Sequence, residues 1–304
     1  MRVHEIPVGK PYRLDLTATV LRRLSTNVVD LLTPDGVYVR ALAGFRQPVI
    51  VRVAQVSNRD TLSVAIEGDS RDDAAVLALV GQMLGAKRDL APFYAAASRI
   101  GWLASLAHRM RGVKPPRYPT LWEACANAII FQQISVRAAS AIMHRLIVNV
   151  GQCVDADDLP VPAYVFPTVE RFRQEGDERL RAAGLSASKV ATLRRVAEAL
   201  ESGALDASTL DRCTSSDAAA LLCRIKGIGP WTAAVILLRG LGRLDVFPGN
   251  DTSIASNVAL VAGPDRCDIE RVLDALGPQR GMLYFHLLLA RLEALGDIGR
   301  PSFT

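Results

Sequence analysis

The sequence has few cysteines and histidines, and it has no long uninterrupted apolar stretch. The five cysteines among 304 residues lie at least ten positions apart, so the C-x-x-C pairs of zinc ribbons and redox sites are absent. The four histidines are scattered as well, and we therefore expect no zinc and no metal held by side chains. No apolar run reaches the roughly 18 residues of a transmembrane helix, and the N-terminus lacks the apolar core of a signal peptide. These absences predict a cytoplasmic protein without a membrane segment.

The composition indicates a folded protein and gives only a weak electrostatic signal. Half of the residues are hydrophobic and 22% are charged, which excludes a disordered chain, and the length predicts about two domains. The net charge of +5 permits a polyanionic partner. Residues 1–110 hold fourteen basic and ten acidic residues, whereas the remainder holds twenty-two and twenty-one. A nucleic-acid site in the C-terminal part must therefore come from local geometry.

The first 110 residues are predicted to form a small α+β domain. Alternation of apolar and polar residues predicts strands over residues 12–24, 28–32, 37–42, 49–56 and 61–66. The turn signal TPDG at residues 33–36 separates two of them. Residues 71–84 change to helical spacing, which completes the α+β unit.

After the linker-like segment GVKPPRYP at residues 112–119, the apolar spacing is almost entirely helical. Helices are predicted over residues 121–131, 135–148, 189–200, 215–225, 231–241, 254–261, 269–276 and 281–295. The sequence thus predicts a mostly α protein, with an all-α domain over residues 111–304 behind an α+β domain over residues 1–110.

One segment, LCRIKGIGPWTA at residues 222–233, predicts a tight helical hairpin. Gly227 and Gly229 are expected to take positive φ and to turn the chain, and Pro230 suits the first turn of the next helix. Backbone N–H groups of the glycines and of that helix N-terminus would form an anion site suited to a phosphate. The alternative is an ordinary helical hairpin with a glycine cap.

Further segments occur in order around this hairpin. The sequence reads NAIIFQQISV at residues 127–136, FPT at 166–168, AGLS at 183–186 before Lys189, and LDVFPGNDTS at 244–253. Together with the hairpin they resemble the helix-hairpin-helix DNA glycosylase superfamily, and within it the 3-methyladenine DNA glycosylase II branch. The resemblance covers residues 115–295. It implies a glycosylase body of two helical lobes, preceded by a small sheet-containing domain.

The resemblance implies a catalytic role for Asp251, four residues beyond Phe247. A carboxylate in a dry cleft stabilises an oxocarbenium-like sugar and orients or deprotonates water. Trp231 occupies the position that holds the Schiff-base lysine in bifunctional relatives, and its ring is expected to stack on a cationic flipped base. The alternatives are a helix N-cap for Asp251 and core packing for Trp231.

The resemblance also implies DNA contacts and a base pocket. The DNA-binding residues are predicted to be Lys226, Gly227, Ile228, Gly229, Thr232, Gln132, Gln133, Ile134 and Ser135. Gln133 and Ile134 would form the wedge that refills the gap left by the flipped nucleotide, with helix capping as the alternative for the glutamines. Tyr284 and Phe285 are predicted base-pocket residues, with core packing as their alternative. Val235 and Leu288 stand where aromatic pocket residues are expected, which leaves the range of lesions open.

The implied function is that of a monofunctional glycosylase that flips out alkylated purines of the 3-methyladenine and 7-methylguanine type and releases them hydrolytically. It would act on damaged double-stranded DNA in base excision repair and leave an abasic site. The alternatives are a non-catalytic helix-hairpin-helix DNA-binding module and a glycosylase for deaminated or oxidised bases. We expect a monomer, nucleoid-associated in a prokaryote. We also expect no cofactor, because relatives with an iron–sulfur cluster carry four cysteines beyond the aspartate and only Cys267 lies there. The resemblance further implies that carbonyl groups of the hairpin backbone share a monovalent cation with the DNA phosphate.

Overall fold

The computed structural model describes residues 1–56, 59–154, 159, 161–249, 252–263 and 268–298, apart from the side chains of residues 70, 252 and 253. The described residues form seven strands and fifteen α-helices. The strands are β1 (Arg2–Pro7), β2 (Leu31–Leu32), β3 (Tyr38–Leu42), β4 (Val49–Gln55), β5 (Thr61–Glu67), β6 (Gln152–Val154) and β7 (Ala163–Val165). The helices are α1 (Leu14–Arg22), α2 (Asp73–Met83), α3 (Ala91–Ala97), α4 (Gly101–Arg109), α5 (Leu121–Ile130), α6 (Val136–Val150), α7 (Val169–Gln174), α8 (Asp177–Ala182), α9 (Ala187–Glu201), α10 (Ala207–Arg212), α11 (Ser215–Cys223), α12 (Pro230–Gly240), α13 (Thr252–Ala262), α14 (Ile269–Leu276) and α15 (Gly281–Ala294). The prediction of a mostly α fold with a sheet near the N-terminus is confirmed.

All seven strands belong to one sheet in the order β1-β5-β4-β3-β7-β6, with β2 beside β3. β1, β5, β4 and β3 pair antiparallel, whereas β7 runs parallel to β3. Burial alternates along β5, as expected for a strand with one face on the core. Helices α1 and α2 cover that face. The two strands from the C-terminal part therefore join the N-terminal sheet.

The predicted strand over residues 12–24 is wrong, because this segment forms helix α1. Leu14, Ala18 and Leu21 pack on the sheet, while Leu16 and Val20 pack against the C-terminal helices. A helix buried on two sides has no polar stripe, and its sequence can be mistaken for alternation. Only the last two residues of the predicted strand over 28–32 are extended, and β1, β6 and β7 were not predicted.

The packing of the described residues does not divide at the predicted boundary between residues 110 and 111. Helices α3 and α4 precede that boundary, but Phe93 and Leu103 share a hydrophobic cluster with Leu273 and Phe285 of the last helices. Local sequence patterns identify elements but do not show which distant elements they meet. The fold brings the N-terminal sheet, the central helices and the C-terminal helices together around shared packing surfaces.

The predicted helices of the body are all present, with ends that differ by a few residues. Helix α5 lies at its centre, with all ten residues buried, and it packs against α9 and α12. Thr120 accepts a hydrogen bond from the Glu123 N–H (3.1 Å) and caps the start of α5. No described helix is both long and apolar enough to cross a membrane. The end of α5 and the start of α12 carry the candidate site.

Candidate nucleic-acid interface

The hairpin between α11 and α12 turns at one glycine. Gly227 has φ +104°, and a Cβ there would lie 2.0 Å from Oγ1 of Thr192 on α9. Gly229 instead has φ −100° and ψ 178° and is the N-cap of α12. The prediction of positive φ at both glycines is therefore wrong for Gly229, because a helix N-cap takes extended backbone. The hairpin needs a glycine at 227 for packing against α9.

Gly229 leaves the backbone at the start of α12 accessible. Apart from Gly229 and the residues next to it in the chain, no described atom lies within 4 Å of the position that a Cβ on Gly229 would take. Pro230 follows as the first residue of α12, and the other first-turn N–H groups of a helix point along its axis toward an approaching anion. The geometry can receive a phosphate oxygen at Gly229 without displacing any described side chain.

The structure divides the predicted hairpin contacts into side-chain and backbone contacts. Lys226 is exposed, so its ammonium group is available to a polyanion. The side chains of Ile228 and Thr232 are only 4% and 3% exposed, so these two residues can contact DNA only through their backbone. Arg195 donates a hydrogen bond from Nη1 to the Lys226 carbonyl oxygen (3.2 Å) and adds a second positive charge beside the hairpin.

A turn at residues 131–134 joins α5 to α6 and contacts the hairpin. The Gln132 amide donates from Nε2 to the Gly227 carbonyl oxygen (3.0 Å) and to Thr232 Oγ1 (2.7 Å). Gln132 therefore binds the hairpin within the protein, a contact that sequence reasoning missed. Gln133 is exposed and has φ +56°, which is uncommon for a non-glycine residue. Ile134, at the tip, is 38% exposed.

Two further side chains fix this turn. Ser135 accepts a hydrogen bond from the Ala138 N–H (3.2 Å) and caps α6. Lys189 donates from Nζ to the carbonyl oxygens of Ile130 (2.8 Å) and Gln132 (3.0 Å). Partial burial lowers the pKa of Lys189 from its usual value, and the two carbonyl oxygens accept hydrogen bonds from its amine. Lys189 was part of the matched sequence pattern, but no local signal showed that it holds the turn.

The predicted pocket aromatics have different environments. Phe285 is 0% exposed and lies inside a hydrophobic cluster, so a role in an open pocket is contradicted and its alternative, core packing, is found. Tyr284 is half-buried and meets the Phe285 ring edge-on at 5.5 Å. Trp231 is half-buried against the core around α5. For Tyr284 and Trp231 a contact with a base stays a prediction.

A small cleft with a volume of about 30 Å³, room for about two water molecules, opens directly beside the turn. Its lining includes Arg23, Asn27, Tyr118, Asn127, Phe131 and Met143. Phe131 immediately precedes Gln132, so one wall of the cleft continues into the turn. Tyr118 donates a hydrogen bond from its hydroxyl to Asn127 Oδ1 (3.0 Å). The cleft thus combines aromatic rings with fixed polar groups.

A buried ion cluster lies at the inner end of the cleft. Arg40 of β3, 1% exposed, donates to Asp30 Oδ1 (2.5 Å) and to Glu123 Oε2 (2.6 Å). Tyr38 donates its hydroxyl proton to Asp30 (2.6 Å). Burial raises the pKa of Glu123 to about 7, although Arg40 opposes the shift. The cluster joins the sheet to α5, and Arg40 binds both of its carboxylates.

Asp251, the predicted catalytic residue, lies outside the described residues, as does Cys267. Helix α13 begins at Thr252, the next residue. In the part of the chain that the structure describes, no group of three His, Cys, Asp or Glu side chains is arranged to hold a metal ion.

Comparisons with known proteins agree with this arrangement. A model of the "HhH-GPD superfamily base excision DNA repair protein" family matches residues 126–274. DNA-3-methyladenine glycosylase 1 of Schizosaccharomyces pombe is 36% identical over 136 residues, which cover 44% of this chain and 54% of that protein. The matched region thus spans about half the length of that relative.

Solved structures extend the similarity to the N-terminal sheet. A 3-methyladenine DNA glycosylase from Archaeoglobus fulgidus has a TM-score of 0.78 and 26% identity, covering 95% of this chain and 98% of that chain. A Schizosaccharomyces pombe 3-methyladenine DNA glycosylase in complex with abasic DNA has a TM-score of 0.53 and 27% identity, covering 64% and 94%. Fold and hairpin together define a helix-hairpin-helix DNA repair protein. The chain belongs to the HhH-GPD superfamily of base excision DNA repair proteins.

Proposed function

We propose that the chain is a monofunctional DNA glycosylase that releases alkylated purines, of the 3-methyladenine and 7-methylguanine type, from double-stranded DNA in base excision repair. The observation that carries the proposal is the pairing of an open hairpin backbone at Gly229 with an exposed turn that Gln132 fastens to it. The names of the similar proteins support the same substrate class.

The hairpin and the turn would act on the DNA together. A phosphate bound at Gly229 fixes the register of the duplex without reading its sequence. The turn then brings Gln133 and Ile134 against the base stack at a fixed distance from that phosphate, because Gln132 joins the two segments. Insertion of a side chain compensates part of the unstacking energy, a few kcal/mol.

Asp251 would perform the chemistry through its carboxylate. The glycosidic bond of an N-alkylated purine breaks readily because the leaving base is cationic in the nucleotide, so no general acid is required. The reaction needs a negative charge near the developing oxocarbenium ion and a water molecule on the opposite face of the sugar. A single carboxylate supplies the charge and can accept the proton of water. The hydrolysis needs no resident metal or cluster, and we propose none.

The product would be an intact abasic site. Strand cleavage by β-elimination requires an amine that forms a Schiff base at C1′ of the sugar, whereas the relevant helix position holds Trp231. The amine of Lys189 donates hydrogen bonds to two backbone carbonyls and is thus engaged within the protein. Borohydride added during turnover is therefore expected to trap no covalent protein–DNA adduct.

Incubation with methylated duplex DNA tests the proposal. We expect free 3-methyladenine or 7-methylguanine, detected by mass spectrometry, and strands that break only after alkali or heat. Binding without release of any base would favour a DNA-binding module, and release of hypoxanthine alone would favour a glycosylase for deaminated bases. A cytoplasmic location and a monomeric state stay predictions.

A further inference from the structure

The three segments that meet at the hairpin contain basic residues but no acidic ones. Residues 124–154, 179–197 and 218–244 hold eleven lysines and arginines and no aspartate or glutamate. Gln132 in the first segment and Arg195 in the second both donate hydrogen bonds to backbone carbonyl oxygens of the hairpin, which lies in the third. The nearly balanced charge of the C-terminal part is therefore an average, and the segments around the hairpin are positive.

Two arginines link these segments through neutral groups. Arg195 donates from Nη1 to the Lys226 carbonyl oxygen (3.2 Å), and Arg145 of α6 donates from Nε to the Ala183 carbonyl oxygen (2.8 Å). A carbonyl oxygen carries no net charge, so these bonds position each guanidinium without neutralising it, and arginine stays protonated in proteins. Both residues therefore keep a full positive charge that a polyanion can meet.

Arg145 shares one exposed stripe of α6 with Arg137. Residues four apart on a helix lie on the same face, and Arg137, Ala141 and Arg145, which form the α6 stripe, are all exposed. The two arginines are eight positions apart, which corresponds to about 12 Å along the helix axis. Ala141 between them is too short to obstruct a bound backbone. Ile134 directly precedes this helix, so the stripe begins beside the turn that is proposed to meet the base stack.

Gly184, in the AGLS segment of the matched sequence pattern, leaves the space that Arg145 occupies. A Cβ at Gly184 would lie 2.6 Å from Arg145 Nη2, and the backbone there has φ +102°, which favours glycine. In the part of the chain that the structure describes, no carboxylate forms an ion pair with Arg137 or Arg145. The α6 stripe thus presents two guanidinium groups whose charge no described carboxylate neutralises.

We infer that the α6 stripe is a second DNA-binding surface, at which Arg137 and Arg145 bind phosphates other than the one held by the hairpin. The inference rests on the DNA binding of the proposed function and is independent of its chemistry. Each strand of a duplex has one phosphate per about 3.4 Å of helix axis, so guanidinium groups about 12 Å apart reach different phosphates. Such contacts position the duplex without reading its sequence. They would provide a second point of attachment, so that the duplex cannot pivot about the hairpin while a base is flipped.

The salt dependence of DNA binding tests the inference. Affinity for an undamaged duplex is measured by fluorescence anisotropy between about 50 and 200 mM sodium chloride, and the slope of log K against log[salt] is determined. Each phosphate contact contributes about −0.9 to this slope, so we expect the slope to become shallower by about 0.9 in Arg137→Gln. The loss of affinity should accordingly be about threefold larger at the lower salt concentration than at the higher one.

Two further variants complete the experiment. Arg145→Gln should change the slope by a similar amount, and the double variant by about 1.8, because the two residues bind different phosphates. The matched control is Arg171→Gln, because Arg171 is also exposed and also lies in the first turn of a capped helix, α7, but outside the three segments and next to Glu170. Arg171→Gln is expected to keep the wild-type slope.

The possible outcomes separate the inference from the proposed function. A slope within about 0.3 of the wild type in Arg137→Gln would overturn the inference, and this variant decides even if Arg145→Gln does not fold. An equal change of slope in Arg171→Gln would also overturn it, because net charge alone would then account for the effect. A wild-type protein that binds duplex DNA but releases no methylated purine would contradict the proposed function and leave this surface standing.

Discussion

Replacement of Gly227 by alanine should destabilise the protein, and the free-energy cost can be worked out from the backbone conformation and the contacts at this position. The left-handed backbone at φ +104° costs an L-residue about 1–2 kcal/mol. The new methyl group would also lie 2.0 Å from Oγ1 and 2.8 Å from Cγ2 of Thr192, and overpacking of a well-packed site costs about 1–3 kcal/mol. We expect Gly227→Ala to lower the free energy of unfolding by about 2–5 kcal/mol.

A double-mutant cycle with Thr192→Ala isolates the steric part of this cost. Thr192→Ala removes both close atoms and one hydrogen bond, from Oγ1 to the Ser188 carbonyl oxygen (2.9 Å), so by itself it costs about 1 kcal/mol. In the double variant the alanine methyl at 227 regains space. We expect the double variant to be about 1–3 kcal/mol more stable than the sum of the single effects predicts.

Urea denaturation of the four proteins, followed by circular dichroism, gives the free energies of unfolding. The m-value should stay the same in all four, so that the midpoints report stability. Additive effects of the two substitutions would refute the packing of the hairpin on α9, and with it the reason for a glycine at position 227.

Three other predictions concern the site and the core. Gly229→Ala should weaken binding of undamaged duplex about tenfold, measured by fluorescence anisotropy, because the methyl group blocks the phosphate. The control is Gly176→Ala, the same change at another open N-cap, and both variants should unfold at the same urea concentration. Equal DNA binding by both variants would contradict this prediction. Lys189→Met should lower base release about tenfold and change affinity for undamaged duplex less than about threefold. The substitution removes the hydrogen bonds that position the turn at residues 131–134, whereas the hairpin backbone keeps its conformation. An equal loss of release and affinity would indicate a general folding defect and contradict the prediction. Burial lowers the pKa of His286 to about 4, so on acidification the unfolded state takes up a proton before the native state does. The free energy of unfolding should therefore fall by about 3 kcal/mol as the pH falls from about 6.5 to about 4. This fall should be absent in His286→Leu, and an unchanged pH dependence of unfolding in that variant would contradict the prediction.

The helical body could be predicted from the sequence because each of its helices carries its own apolar stripe. Helix α14 has the predicted bounds, and α15 differs by one residue at its end. Helix α1 could not be predicted, because it is buried on both sides and its stripe depends on distant partners. The short strands β6 and β7 exist only because β3 offers an edge to pair with, which no local pattern indicates.

The candidate site shows the same limit. The G-x-G-P pattern predicted the hairpin and its anion-binding backbone, but only three-dimensional packing distinguishes Gly227, pressed against Thr192, from Gly229, which faces open space. The hydrogen bonds of Gln132 and Lys189 join segments about sixty to one hundred residues apart. A single sequence carries no signal for such contacts, and for the same reason it left open whether Phe285 lines a pocket or packs in the core.

The most direct test of the proposed chemistry compares Asp251→Asn with Asp245→Asn. Both substitutions remove one carboxylate charge from the same segment, and Asp245 is exposed. Release of methylated purines from alkylated duplex is measured alongside affinity for abasic-site DNA. We expect Asp251→Asn to lose base release while its affinity stays within about tenfold of the wild type, and Asp245→Asn to retain both. More than about a tenth of wild-type release in Asp251→Asn would contradict the account.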